Sequence, residues 1–277
     1  LKGQKVVRIH PSAVVDPSVR LGADVVIGPN CVVAANAVIG DATVLDANVV
    51  IGPNVRIGSQ NRLFANCAVG NLPQVLSLKP ESPVGILVIG DRNTIREQVT
   101  IHPAMSPGST TSVGSDNLLM IGVHIGHDCT IEDKAVMSNY VQVSGHCKIE
   151  TGAWLSGMVQ LHQFVTVGRW CYAAGFAGLN HDVPPFLIVS GHYPPLIRGV
   201  NERGLARAGI SQQSRRRIVE AYKRLYRQGG TLLANASALA AENDLDENVA
   251  TMVEAIRNSS KHRFGRYLET FRDRGGH

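Results

Sequence analysis

Every sixth residue of this chain is aliphatic over long stretches. From Ile9 the positions Val15, Leu21, Ile27, Val33, Ile39, Leu45, Ile51, Ile57, Leu63 and Val69 follow without a gap. If aliphatics filled about one position in three, eleven such hits in a row would arise by chance about once in a hundred thousand, so the period belongs to the fold. An amphipathic helix repeats every three or four residues and a hairpin meander alternates, and neither keeps a strict six. In several units a small residue or Gly, Pro or Asn follows the aliphatic, as in Ile27-Gly28-Pro29-Asn30 and Ile51-Gly52-Pro53-Asn54. Such residues suit a sharp corner, and the pattern predicts short parallel strands stacked into a parallel β-helix, an all-β solenoid.

The period breaks twice, at about residues 70–88, around Asn71-Leu72-Pro73-Gln74, and at 102–112, a stretch rich in Pro, Gly, Ser and Thr. Between the breaks it resumes with Ile89, Ile95 and Ile101, and after the second with Val113 and Leu119. Insertions that leave a solenoid on one side commonly build its binding face. The frame then runs through Ile125, Ile131, Met137, Val143, Ile149, Leu155, Leu161, Val167, Ala173 and Leu179, and Asp182-Val183-Pro184-Pro185 signals its end. This predicts a solenoid domain over residues 1–190 and a C-terminal helical domain over 191–277. Ile218, Tyr222, Leu225 and Tyr226 have helical spacing before Gly229-Gly230, and two further helices are expected at about 232–241 and 246–259. Such a domain would seal the last coil.

Hydrophobic residues make up 44% of the chain and charged residues 18%, which excludes a disordered protein. No run of about 18 apolar residues is present, and the start LKGQKVVRIHPS has no apolar signal region, so a soluble cytoplasmic protein without stable membrane insertion is expected. The net charge of +5 is concentrated in Arg215, Arg216, Arg217, Lys223, Arg224 and Arg227. That block reads either as a surface for an acidic partner or a nucleotide phosphate, or as a solvated helix face. No nucleic-acid partner is implied. Cys31, Cys67, Cys129, Cys147 and Cys171 each fall four residues after a frame aliphatic, in a slot that also takes Ala, Val and Thr. They read as small core residues and not as ligands or nucleophiles.

Between Met120 and Phe164 the frame carries His124, His127, His146 and His162, which a purely structural repeat does not need. With three units per coil, Ile125, Val143 and Leu161 stack, and His127, His146 and His162 follow them by two, three and one residues. Coils lie about 4.8 Å apart, so three imidazoles line one corner and His124 approaches it. Stacked imidazoles can bind zinc, as in the carbonic anhydrase class built on such a prism. Asp128 beside His127, with Gln163 and Asn139 nearby in the fold, suits a hydroxyl-binding site better.

Seven stretches, in order, make the reading specific: IGDRNTIREQVTIH at 89–102, VGSDNLLM at 113–120, HIGHDC at 124–129, SGH at 144–146, LHQF at 161–164, DVPPF at 182–186 and GVNERGL at 199–205. Together they closely resemble the acyl-carrier-protein-dependent UDP-N-acetylglucosamine O-acyltransferases of lipid A biosynthesis, a hexapeptide-repeat family. The resemblance spans essentially the whole chain, the final helices matching only in type. It implies a left-handed prism, against the usual crossover rule, and transfer of a (3-hydroxy)acyl chain from acyl carrier protein to the 3-hydroxyl of UDP-N-acetylglucosamine. It further implies a general base at His127 oriented by Asp128, and an oxyanion donor in the Gly145 amide. His124, His146, His162, Gln163 and Gln74 match substrate contacts; Asn201 and Arg207 match nucleotide contacts, the arginine suited to phosphate. Gly175 matches the residue that closes the acyl groove and so sets chain length. A homotrimer with its cleft between subunits is implied, with no cofactor and no metal.

The chain departs from the family pattern in the sugar loop, where Gln74-Val75-Leu76-Ser77 replaces a common Gln-Asp-Leu-Lys and only Lys79 offers a later cation. Arg203 stands where the family often has Glu, and Ala208 where a second Arg is common. These departures leave the acceptor open to a related nucleotide sugar, including a 3-amino sugar acylated at nitrogen. A zinc-dependent enzyme of the carbonic anhydrase type is the third reading.

Overall fold

The computed structural model describes residues 6–272; the outer ends of the two expected domains, residues 1–5 and 273–277, lie outside it. Frame aliphatics end two-residue strands such as Val26–Ile27, Val50–Ile51 and Gln142–Val143, and from Ile27 onward they are buried in one continuous core. Each strand alternates in the usual way. The residue before the aliphatic faces outward, and the one before that, such as Val25, Val49 or Val141, is buried again.

The strands pair in parallel across eighteen residues, joining Ile9 to Ile27, Val33 to Ile51 and Val143 to Leu161. Three units therefore make one coil. Three sheets of eleven, nine and eight strands form the sides of a triangular prism, which winds left-handed. Face one carries Ile27, Leu63, Leu155 and Ala173; face two carries Val69, Ile125, Val143 and Leu161; face three carries Ile57, Ile131 and Ile149. The frame crosses both insertions without losing register, since Leu63 pairs with Ile95 and Ile101 with Ile125. Both loops are shorter than the period suggested. Strands Ile86–Ile89 and Thr110–Val113 pair along their whole length, leaving loops at 70–85 and 102–109 that meet through Gly85 N–H and Ala104 O at 2.9 Å.

Two-residue strands hold because the corners are hydrogen-bonded as well. The corner amides of Asn48 and His146 donate to Pro29 O and His127 O, one coil earlier, at 2.9 Å each. This leaves few backbone groups unpaired. The turn itself is made by the third residue after the aliphatic, which takes a left-handed φ: 56° at Asn30, 61° at Asn36, 59° at Asn48, 58° at Asn54. Asparagine tolerates that conformation because its short side chain hydrogen-bonds locally. The expected role of glycine is thus corrected. Gly40, directly after Ile39, is needed for close approach, since a Cβ there would lie 2.5 Å from the Gly58 carbonyl carbon of the next coil.

One core slot is polar, which the period did not reveal. Asn61, Asn93 and Asn117 are buried, and each side-chain oxygen accepts the backbone N–H one coil on, at 2.9, 2.9 and 2.7 Å. The five cysteines are free and buried, and burial pushes the Cys67 and Cys171 thiols up to about 12, as small core residues require.

Beyond the last coil the chain first makes a hairpin, Leu187–Ser190 with Leu196–Val200, where only helix was expected. Four helices follow: α1 (Glu202–Arg207), α2 (Gln212–Tyr226), α3 (Leu232–Ala240) and α4 (Glu247–Ser259). They gather Leu205, Ile218, Leu225, Leu239 and Met252 around Phe186 and Leu187, a second core on the end of the prism. Asp246 caps α4 through the Asn248 and Val249 amides and also accepts from Ser214 Oγ at 2.9 Å, tying α2 to α4. No helix among the described residues is long and apolar enough to cross a membrane.

Lys134 is an exposed corner residue at φ 58°. A β-branched side chain is strained there, so Lys134→Val should cost about 1–2 kcal/mol while Lys134→Asn costs nothing measurable. Denaturant unfolding of the two variants checks this, and equal stabilities would contradict it.

Candidate active site

Ile125 and Cys129 are buried on either side of Gly126-His127-Asp128, so these three residues must turn the corner between faces two and three. Asp128 takes the left-handed position at φ 57°. That turn sets its carboxylate beside the preceding imidazole, with His127 Nδ1 2.7 Å from Asp128 Oδ2. A carboxylate can only accept here, so Nδ1 carries the proton and Nε2 carries the lone pair. His127 Nε2 has no hydrogen-bond partner among the described residues. The second loop braces the carboxylate, Met105 N–H donating to Oδ2 at 3.1 Å, while Thr111 of the strand Thr110–Val113 holds the backbone, its Oγ1 accepting from Asp128 N–H at 2.8 Å. Burial pushes the Asp128 carboxyl up, but these hydrogen bonds and the neighbouring imidazoles outweigh it and hold it below the usual value.

One coil further, Gly145 lies against the same ring. A Cβ at this position would sit 2.7 Å from His127 Nε2, so no side chain fits. At other corners the amide in this slot is held by a carboxylate of the next coil, as Ser59 by Asp91 and Ser115 by Asp133, both at 2.7 Å. The Gly145 amide has no acceptor among the described residues. His146 occupies the left-handed position at φ 61°, edge-on to His127 with ring centres 5.0 Å apart, and stacks on Phe164 at 4.6 Å. Burial lowers its pKa, against the opposing pull of Asp128.

His124 faces outward from face two, with Nδ1 2.9 Å from Thr100 Oγ1. Burial, then His102 and His127, bring its pKa down to about 4, so it is neutral near pH 7. His102, its ring 5.3 Å away, is a residue the sequence reading treated only as the start of a loop. It is buried, its Nδ1–H donates to Asn71 O at 2.9 Å, and its Nε2 is left without a partner. Its one sequence signal is its place at the end of the stretch from Ile89. His162 and Gln163 lie another coil on, in a cleft of about 310 Å³ shared with Gln142, Ser144, Gln160 and Tyr193.

The remaining candidates are elsewhere on the chain. Gln74 is exposed on the first loop, which Asn71 ties to His102. Asn201 is buried as the cap of α1, its oxygen accepting from Gly204 N–H at 3.1 Å and its amide donating to Trp170 O at 2.8 Å, so both polar groups are engaged in the fold. Arg207 stacks on Trp154 of face one at 4.8 Å. Gly175 has the same place in its unit as His127 but turns the corner between faces one and two, above Gly157. Beside it Tyr140, Met158 and Phe176 form an exposed apolar ladder.

His127, Asp128 and His146 could hold a metal, since their ligand atoms lie within 4.8 Å of one another. Yet Asp128 Oδ2 already accepts two N–H groups and His127 Nδ1 is spent on it. That arrangement orients a base better than it chelates a cation.

The low pKa of His124 has a stability consequence. Below 6.5 the unfolded chain takes up a proton that the folded form refuses until about 4, so stability falls across that window as pH drops. Asp182, raised to about 6 by burial, acts with the opposite sign as pH falls through 6. His124→Gln should therefore gain melting temperature relative to the native chain at pH 5 compared with pH 7. An offset that does not change with pH would contradict this.

Known proteins match this architecture closely. The profile described as Udp N-acetylglucosamine O-acyltransferase; Domain 2 covers residues 182–264, and that of the bacterial transferase hexapeptide (six repeats) covers 6–41. The acyl-[acyl-carrier-protein]–UDP-N-acetylglucosamine O-acyltransferase of Halorhodospira halophila is 42% identical over 257 residues, covering 92% of this chain and 98% of that protein. Its namesake in Burkholderia lata is 43% identical over 261 residues, with the same coverage. The UDP-N-acetylglucosamine acyltransferase structure from Francisella novicida superposes with a TM-score of 0.85 at 37% identity, covering 90% of this chain and 91% of that one. On these grounds the chain belongs to the acyl-[acyl-carrier-protein]–UDP-N-acetylglucosamine O-acyltransferases.

Proposed function

We propose that the chain transfers a (3-hydroxy)acyl group from acyl carrier protein to the 3-hydroxyl of UDP-N-acetylglucosamine, the first step of lipid A biosynthesis. The observation that carries the mechanism is the His127 Nδ1 to Asp128 bond of 2.7 Å, which leaves Nε2 as an acceptor beside the unclaimed Gly145 amide. The sugar 3-hydroxyl gives its proton to Nε2 as its oxygen attacks the thioester carbonyl. Gly145 N–H receives the oxyanion without reorganising. The intermediate collapses, the C–S bond breaks, and the departing thiolate takes the proton back from His127. Asp128 stays ionised throughout and steadies the imidazolium.

Gln74, His124, His146, His162 and Gln163 line the path of the sugar and the reacting acyl group, and Arg207 takes the nucleotide phosphates. Asn201 serves this site indirectly, by holding the helix that carries Arg207. Gly175, beside the apolar ladder, closes the acyl groove. The polar row His124, Gln142 and Gln160 separates this ladder from the His127 corner within one chain. We therefore assign the working form to a homotrimer in which one copy's catalytic corner faces its neighbour. The basic block divides: Arg217 and Arg224 pair with Asp244 and Glu242 of the same chain, while Arg215, Arg216 and Lys223 line a hollow of about 640 Å³. The latter three form the docking surface for acidic acyl carrier protein, and the cytoplasm is the location we assign to the reaction.

His127→Ala should lower turnover about a hundredfold or more at saturating substrates, with assembly and melting temperature nearly unchanged. Near-native turnover of the variant would remove the base assignment. Loss of native activity on chelation, restored by zinc, would favour the metal reading.

A further inference from the structure

The matched family profile ends at residue 264, and the chain continues back toward the catalytic corner. Three contacts fasten this extension to the last coil. Asp182 N–H donates to Gly265 O at 2.7 Å, Tyr267 N–H donates to Asp182 Oδ2 at 2.8 Å, and Arg266 donates to Asn180 O at 2.9 Å. A short turn, Tyr267–Phe271, then delivers Arg272 over the Phe164 ring, at 5.8 Å from its centre. Phe164 is the ring that stacks on His146, which in turn abuts His127. The guanidinium thus ends a continuous stack that begins at the proposed base.

Among the described residues its charge is only partly compensated. Glu269 is shared by Arg266 at 2.7 Å, the His262 ring at 3.6 Å and Arg272 at 3.8 Å. The Arg272 side chain is about half exposed, at 47%, so its fork remains open. The second inserted loop meets Asp128 on the N-terminal side of the corner, through Met105. Arg272 bounds the other side, over the ring of Phe164, which lies two coils along from Asp128, or about 10 Å at the usual strand spacing.

We propose that Arg272 is a substrate-binding residue whose guanidinium takes a phosphate oxygen at the C-terminal side of the catalytic corner. This rests on the acyl-transfer reading above. Both substrates carry phosphate, as the diphosphate of the nucleotide sugar and as the phosphodiester of the carrier's pantetheine arm. An arginine fork matches such oxygens better than a point charge does.

The test uses the full-length protein with Arg272→Ala, Arg272→Lys and Arg272→Gln, measuring kcat and KM for each substrate and, separately, binding of UDP alone. Arg272→Ala and Arg272→Gln should raise one KM about tenfold with kcat changed less than about twofold, and Arg272→Lys should recover part of the loss. A raised KM for the nucleotide sugar with weakened UDP binding assigns the diphosphate. A raised KM for the acyl carrier with UDP binding unchanged assigns the pantetheine phosphate. Unchanged KM values overturn the proposal, as does a fall in kcat alone that lysine fails to rescue, which would mean that Arg272 only packs Phe164. Failure of the native protein to acylate UDP-N-acetylglucosamine would instead overturn the acyl-transfer reading, so the two failures are distinguishable.

Discussion

Coil-to-coil stacking at an interval of eighteen residues is the constraint on which the rest depends. No two-residue strand is stable alone, yet every one between the first and last coils is hydrogen-bonded above and below, and the frame aliphatics meet inside the prism. Each corner must then turn within a few residues, which from Leu21 onward puts the third residue of nearly every corner in the left-handed region. Where the corner is only structural, the chain spends asparagine there, as at Asn30, Asn36, Asn48 and Asn54. At the proposed catalytic corner the same positions are Asp128, His146 and Phe164, stacked directly along the prism. The strained corner therefore sets functional side chains in register, an arrangement of the kind that active sites often use.

The electrostatics follow from that register. Asp128 meets His127 because adjacent residues turn the same corner, and it stays ionised because Met105 N–H and the imidazoles offset its burial. The neighbouring imidazoles are held neutral by burial, His124 down to about 4 and His146 below its usual value. A site ringed by neutral rings, with one oriented lone pair, can take a proton from a hydroxyl without first repelling a cationic intermediate.

Much of this was legible in the residues. The frame passed both insertions in register, and the helices at 232–241 and 246–259 were expected within about a residue of α3 and α4. The support of the Asp128 carboxylate by Met105 was not legible, because it comes from a loop whose path no period describes. The Leu196–Val200 strand was missed because it folds back on the last coil instead of extending the repeat. Gly175 shows a different limit. Spacing gives it the same place in its unit as His127, but the face depends on counting coils, and the eight units from Ile125 to Ala173 are not a multiple of three.

The face on which a residue falls bears on how the site is assembled. His127 and Arg207 belong to different sides of one prism, the first at the corner of faces two and three and the second against Trp154 of face one. Our account therefore makes each working site from two copies of the chain. The most direct measurement mixes His127→Ala and Arg207→Ala proteins, each inactive by itself, under conditions that exchange subunits. If sites form between copies, random hybrids regain about one quarter of native activity, because about that fraction of sites receives an intact residue from each partner. If activity stays at the level of the separate variants after verified exchange, the site is built within one chain and the account is wrong.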